Sequence, residues 1–275
     1  MEGSIFDMKL DYGSIISPYP IELSIGAIRK PTLAEIADPQ KIGFQQFGLY
    51  QSLLVLTPQE YYKNLKDEHS YYFSLSDDEK QQLTMFDAIA RDANLRNLYV
   101  SLFNLFFVEQ VIYAENVFVL LNQNTQINNN TNDSIRGIIA KDNFNDVINV
   151  IKQICGMQAD EDVFSHDLPK KKFKTKKAKR LYKKIMMANT TKKHAGSINL
   201  SLPNIISAVC GCHPSINYTN VYHLTVYQLF DTFERMKTNS MFELFRTKVS
   251  VWGNEKNWFD SELWYKNNYD KNSSA

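Results

Sequence analysis

The sequence predicts an α+β protein that is predominantly α-helical, with a helical N-terminal region, a small β-hairpin–α unit, a basic helical arm and a helical C-terminal region. Three observations predict it. Helix-start signals recur: a Thr or Ser is followed three residues later by Glu at Thr32/Glu35, Thr57/Glu60 and Ser76/Glu79, a pairing that satisfies free N–H groups of a first turn. Strand-like runs are few and short, confined to Pro18–Lys30, "ENVFVLLN" and "SIRGIIA". The chain of 275 residues is 44% hydrophobic and 22% charged, which suits one large core or two modest ones and not a disordered polymer.

Residues 1–113 read as a mainly helical domain with a short edge strand. In Pro18–Lys30, Ile21, Leu23, Ile25 and Ala27 alternate with polar positions on one face of a strand, and Pro18 and Pro20 place it at an edge. Thr32 starts a helix. Lys41–Leu56 reads as a second, with Ile42, Phe47, Tyr50 and Leu54 at helical spacing. Pro58 at a first helical position and Ser76 at an N-cap start two more. Leu95–Tyr113 is apolar nearly all round and predicts a central helix.

Residues 114–157 read as a β-β-α unit packed on that domain. "ENVFVLLN" and "SIRGIIA" form a hairpin around a long polar loop; a helix capped by Asp142 follows, burying Phe144, Val147, Ile148 and Ile151. Residues 158–196 hold an acidic linker and the basic arm. Residues 197–275 are helical again, in "SLPNIISAVCG" and in "SINYTNVYHLTVYQLFDTFERMK", and end in a polar tail carrying Trp252, Trp258 and Trp264.

Charge is distributed unevenly. The net charge is +1, yet twelve of the 31 Lys and Arg residues lie between Pro169 and His194, and no Asp or Glu occurs from Leu168 to Phe230. Without those twelve the remainder carries −11, so bulk attraction to nucleic acid is not expected and only a local patch supplies it. On a helix over Thr175–Ala188, Ala178, Leu181, Tyr182, Ile185 and Met186 share one side, and Lys176, Lys179, Arg180, Lys183 and Lys184 take most of the other. Three readings stand: a solvated connector helix, a phosphate-tracking patch over Lys170–Lys184, and a partner-binding helix for an acidic protein surface. The apolar stripe favours protein, since phosphate tracking needs charge alone. The three tryptophans are large apolar groups in a polar segment; they either fold back on the chain's own core or anchor a partner.

Cys155, Cys210 and Cys212 are an odd count with two members too close for a comfortable bridge, which points to a reducing compartment. The N-terminus lacks the apolar stretch of a signal peptide. The longest apolar stretch is broken by Asn104, Glu109, Gln110, Glu115 and Asn116, so no membrane span is expected. The one reactive-looking cluster is "CGCHPS". Cys210, Cys212, His213 and His223 can be read as zinc ligands or as a Cys–His nucleophile, but the spacing fits neither framework well. The structural alternative is a helix end, with Gly211 terminating and Pro214 blocking continuation. No phosphate loop, dinucleotide glycine pattern or nucleophile elbow occurs. The sequence is therefore read as non-enzymatic, with no catalytic, cofactor or metal residue to name.

"HPSINYTNVYHLTVYQLFDTFERM" (His213–Met236) resembles a segment of tailed-phage and prophage proteins of low-GC Gram-positive hosts, through Leu224, Thr225, Tyr227, Gln228, Leu229, Asp231, Phe233 and Arg235. "IRKPTLAEI" and "LTPQEYY" fit the same N-terminal pattern. The resemblance implies a tail or baseplate morphogenesis role, either chaperone-like or as a virion component. It further implies other phage tail or baseplate proteins as partners, and a location in the host cytoplasm during assembly. Nucleic-acid association through the Lys run is the alternative. By charge and aromatic content, the residues singled out for partner binding are Lys176, Lys179, Arg180, Leu181, Tyr182, Lys183, Lys184, Ile185, Trp252, Trp258 and Trp264.

Overall fold

The computed structural model describes residues 9–65, 71–122, 134–157, 201–254 and 259–265. Helix accounts for 59% of them, beside a two-stranded and a three-stranded sheet. The architecture is α+β and predominantly helical, as the sequence predicts.

The capping signals define the first half. After a short α1 (Tyr12–Ile16), Thr32 caps α2 (Leu33–Ala37), its side chain accepting the Glu35 N–H while Glu35 accepts the Thr32 N–H. Then come α3 (Gly43–Val55), α4 (Pro58–Leu65) opened by Thr57 and Glu60, and α5 (Tyr71–Ser74). Ser76 caps α6 (Asp77–Gln82). A further Thr84/Asp87 capping box, not among the starts read from the sequence, begins α7 (Met85–Arg91).

Two expectations are corrected here. Pro18–Lys30 is not one edge strand but a hairpin, β1 (Ile21–Leu23) and β2 (Gly26–Ile28), antiparallel with Leu23 opposite Gly26. Gly26 has φ +152°, a conformation open to glycine, and that lets the chain reverse inside the alternating pattern. The central helix is also shorter than expected: α8 runs from Ala93 to Phe106, and Gln110–Ala114 is β3. Tertiary pairing decides this. Arg29 N–H donates to the Phe106 carbonyl and Val108 N–H to the Ala27 carbonyl, so β2 draws the backbone out of the helix. Asn104 then pins the new strand, its amide donating to the Val111 carbonyl and accepting the Val111 N–H. Glu109 turns inward and accepts the Ala27 N–H on both carboxylate oxygens.

The second sheet is a meander. β3 pairs with β4 (Val117–Leu121) across a two-residue turn, Glu115 and Asn116, both at positive φ, as a tight hairpin of this hand requires. β4 pairs with β5 (Ile135–Ile139), with a register shift at Leu120/Leu121. One sheet face, with Val111, Phe118, Leu120 and Ile139, is buried under α7, α8 and α9 (Phe144–Ile154). All four expected apolar positions of α9 are buried. Its cap differs: Asn143, not Asp142, is the N-cap, and the Asn143 side chain accepts the Ala140 N–H.

At the centre lies an aromatic cluster. Phe103 meets Phe118 edge-on at 4.9 Å and also touches Tyr99, Phe107 and Phe144. The buried Tyr99 hydroxyl donates to the Leu53 carbonyl at 2.8 Å, satisfying an end-of-helix group of α3 that no turn of its own can reach. Burial pushes the Tyr99 phenol up. Lys30, 5% exposed, gives its ammonium to the carbonyls of Ser14, Ser17 and Tyr19 at 2.6–2.8 Å, so its three donors tie the loop after α1 to β2.

Three carboxylates at helix starts set an acid limit. Burial tends to raise Glu35 and Asp87, but hydrogen bonds and cations outweigh it: Thr32 and Arg29 for Glu35, Lys141 and Thr84 for Asp87. Asp92, the N-cap of α8, is held low mainly by the Tyr61 hydroxyl, whose own pKa is pushed up. All three lie below their unfolded values. Their stabilisation is therefore complete only above about pH 5, past all three unfolded values, and is lost as pH falls through the folded values. The expected result is a melting temperature that is flat from pH 7 to 5 and drops below about pH 4. Asp92→Asn should lower the plateau and flatten the acid slope; an unchanged slope would remove Asp92 from this account.

Candidate partner-binding face

The C-terminal region begins with α10 (Leu202–Cys212), which buries Leu202, Ile205, Ile206 and Val209. Gly211 does not end it; the helix runs to Cys212, and His213 is the C-cap. His213 Nδ1 accepts the N–H groups of Ser215 and Ile216 at 3.2 and 3.0 Å and so organises the turn that follows. Cys212 is exposed, Cys210 half-buried and Cys155 buried, with burial pushing the Cys155 and Cys210 thiols up. Among the described residues no three His, Cys, Asp or Glu side chains are grouped to hold a metal, and no helix is long and apolar enough to cross a membrane.

A 3-10 turn (Val221–His223) leads into α11, a single helix from Val226 to Trp252. At 1.5 Å per residue its 27 residues span about 40 Å. Thr225 caps it, accepting the Gln228 N–H, while Gln228 accepts the Thr225 N–H. The two halves of α11 then differ. The first half is clasped by the N-terminal region. Tyr227 is buried and edge-on to Tyr12, and Leu229 is fully buried. The Gln228 amide donates to the Ile16 carbonyl at 2.7 Å, and the Tyr12 hydroxyl donates to Asp231 at 3.2 Å. Asp231 also faces Arg235 at 3.5 Å. The Leu33 N–H donates to the Leu224 carbonyl, which joins α2 to the same segment.

From Lys237 to Trp252 no residue of α11 is buried. This half is nevertheless not polar. On a 3.6-residue wheel Val251, Leu244, Met241, Trp252, Phe245, Val249 and Phe242 fall within one half of the circumference, an arc they share with Lys237, Thr238 and Lys248. One edge of that arc is covered: Gly253, at φ +74°, ends the helix, and Phe259 packs on Phe242 with ring centres 5.5 Å apart. The other edge faces solvent, with Met241 51%, Leu244 66%, Val251 65% and Trp252 77% exposed. Such a stripe exceeds the scattered single exposures normal on a surface. Opposite it, Glu243 and Arg246 pair at 2.7 Å on a solvated face.

Of the residues singled out in the sequence, Trp252 is the last residue of this helix, and Trp264, 53% exposed, is stacked edge-on to Tyr265. Both stay out of the core. Trp258 and the basic-arm residues Lys176, Lys179, Arg180, Leu181, Tyr182, Lys183, Lys184 and Ile185 lie outside the described residues. Sequence reasoning missed Met241, Leu244 and Val251. Their spacing of three and seven was the available signal, obscured by the polar residues between them.

No curated protein and no solved structure matches the chain. Residues 190–269, less than a third of the sequence and including α10 and α11, match the model of the YomV second domain, a phage-related prophage family, which supports a phage-associated protein.

Proposed function

We propose that this protein is a non-enzymatic structural or assembly component of a tailed bacteriophage, acting at the tail or baseplate by protein–protein contact through the distal half of α11. The observation that carries the reading is the uncovered apolar stripe of Met241, Leu244, Val251 and Trp252, presented on a rigid helix whose other half is locked to the core. A rigid projecting helix with apolar anchors at three- and seven-residue spacing suits helix-in-groove recognition. The match to a phage-related domain over the same segment agrees with it.

Met241→Glu combined with Leu244→Glu tests it. Both side chains are exposed, so the melting temperature is expected to stay within a few degrees of the parent, in line with surface changes of about 0.5 kcal/mol each. Complementation of a phage deleted for this gene is expected to fail, with immature tails accumulating. Normal particle yield from the double variant would overturn the proposal. Loss of DNA retention in place of a tail defect would favour the nucleic-acid alternative.

A further inference from the structure

A cleft of about 220 Å³ opens between the β1–β2 turn and the first turns of α9. Its apolar walls are Leu23, Ile25, Val147 and Val150, and Glu22 of β1 and Asp146 of α9 are also among its lining residues. It is smaller than the roughly 300–1,000 Å³ typical of ligand pockets, so its size fits one large side chain better than a free small molecule. Asp146 forms no ion pair or hydrogen bond with any described residue, and Asp142 lies one turn before it. Among the described residues Glu22 reaches Arg136 alone, at 3.8 Å. The cleft therefore offers an apolar floor beside one carboxylate, Asp146, that has no partner among the described residues, and a second, Glu22, held only by the long Arg136 contact.

We propose that this cleft is the dock for the chain's own basic segment, residues 169–194, with an apolar side chain of that segment seated between Ile25 and Val147 and its lysines facing Glu22, Asp142 and Asp146. The proposal goes beyond the tail-assembly reading and does not rest on it. Two observations name the occupant. The first is complementarity: the segment supplies twelve cations, no carboxylate, and apolar residues Leu181 and Ile185 among the lysines, the mirror of an apolar floor with carboxylates beside it. The second is reach. Met157 lies eleven residues beyond Asp146, about 16 Å along a helical path. The twelve residues 158–169 extend up to about 40 Å, enough to return to the cleft. A basic face held there would also be kept from phosphate backbones, for which it would otherwise compete.

Limited trypsin digestion of the full-length protein reads the docking directly, because cleavage between Lys176 and Lys184 tracks the fraction of undocked segment when opening is fast. In the parent protein these bonds are expected to be cut about tenfold more slowly than in a synthetic peptide of residues 169–194. Glu22→Lys with Asp146→Lys should abolish that protection. Adding Lys179→Glu and Lys183→Glu to that variant should restore it. Melting curves check that the folded body survives. Leu181→Ser with Ile185→Ser gives the same reading from the arm side, without touching the cleft. The proposal is overturned if the parent is cut as fast as the peptide, or if the folded cleft variant keeps full protection. It is equally overturned if protection rises with protein concentration, which would place a second copy in the cleft, or appears only when DNA is added.

Discussion

Replacing Phe103 by Ala is expected to cost about 3–5 kcal/mol, the range for emptying a buried aromatic site. Phe103 is fully buried and touches four other rings, drawn from α8, the α8–β3 connection, β4 and α9. The ring therefore joins both secondary-structure layers, and the rings around it are too stiff to close the void. Edge-to-face contacts such as that with Phe118 add about 0.5–1.5 kcal/mol beyond area. Against a total stability of about 5–15 kcal/mol, such a loss leaves little margin at 37 °C. Urea denaturation should show a large fall in midpoint at an unchanged slope. A loss below about 1.5 kcal/mol would mean that the site collapses around the removed ring and that the cluster does not hold the two layers together.

Gly137→Val is expected to destabilise by the opposite route. A Cβ at Gly137 would stand 2.2 Å from the Ile25 carbonyl oxygen and 2.6 Å from its Cα. Both are backbone atoms, so no rotamer relieves the clash; the β1–β2 turn must lift off β5. Overpacking of this kind costs about 1–3 kcal/mol and occasionally more, and here it would also open the cleft walled by Leu23 and Ile25. Gly137→Ala separates the causes. It adds only the clashing atom, so it should carry most of the loss seen by thermal denaturation. A neutral Ala variant would show that the turn moves freely.

Most of the helical starts were legible because capping is local chemistry. Thr32, Thr57 and Ser76 each find their partner three residues on, within one turn, so the pattern survives in one dimension. What failed was any choice settled by a distant strand. Ala93–Ala114 is rich in apolar residues on both sides of Phe106, and no helix-stop residue such as Gly or Pro marks Phe106 as the last helical residue. The mark is β2, nearly eighty residues earlier, taking up the backbone of Phe106 and Val108. Asn104 and Glu109, which looked like interruptions of an apolar run, are the residues that fix that exit. The role of Lys30 was illegible for the same reason, since its three carbonyl partners lie 11 to 16 residues away. The stripe on α11 was hidden differently. The three tryptophans drew the eye to the tail, while the less conspicuous Met241, Leu244 and Val251 build the face.

The clasp on the first half of α11 has a further meaning. The residues that make His213–Met236 recognisable in sequence divide into those that start the helix and those that hold Tyr12 and Ile16, more than two hundred positions earlier. A stretch that looks like a self-contained module is thus half of a joint, with its other half at the opposite end of the chain. The unit that holds together is the pair, α1 with α11. A fragment cut to the boundaries of the matched segment would carry the socket without its pin.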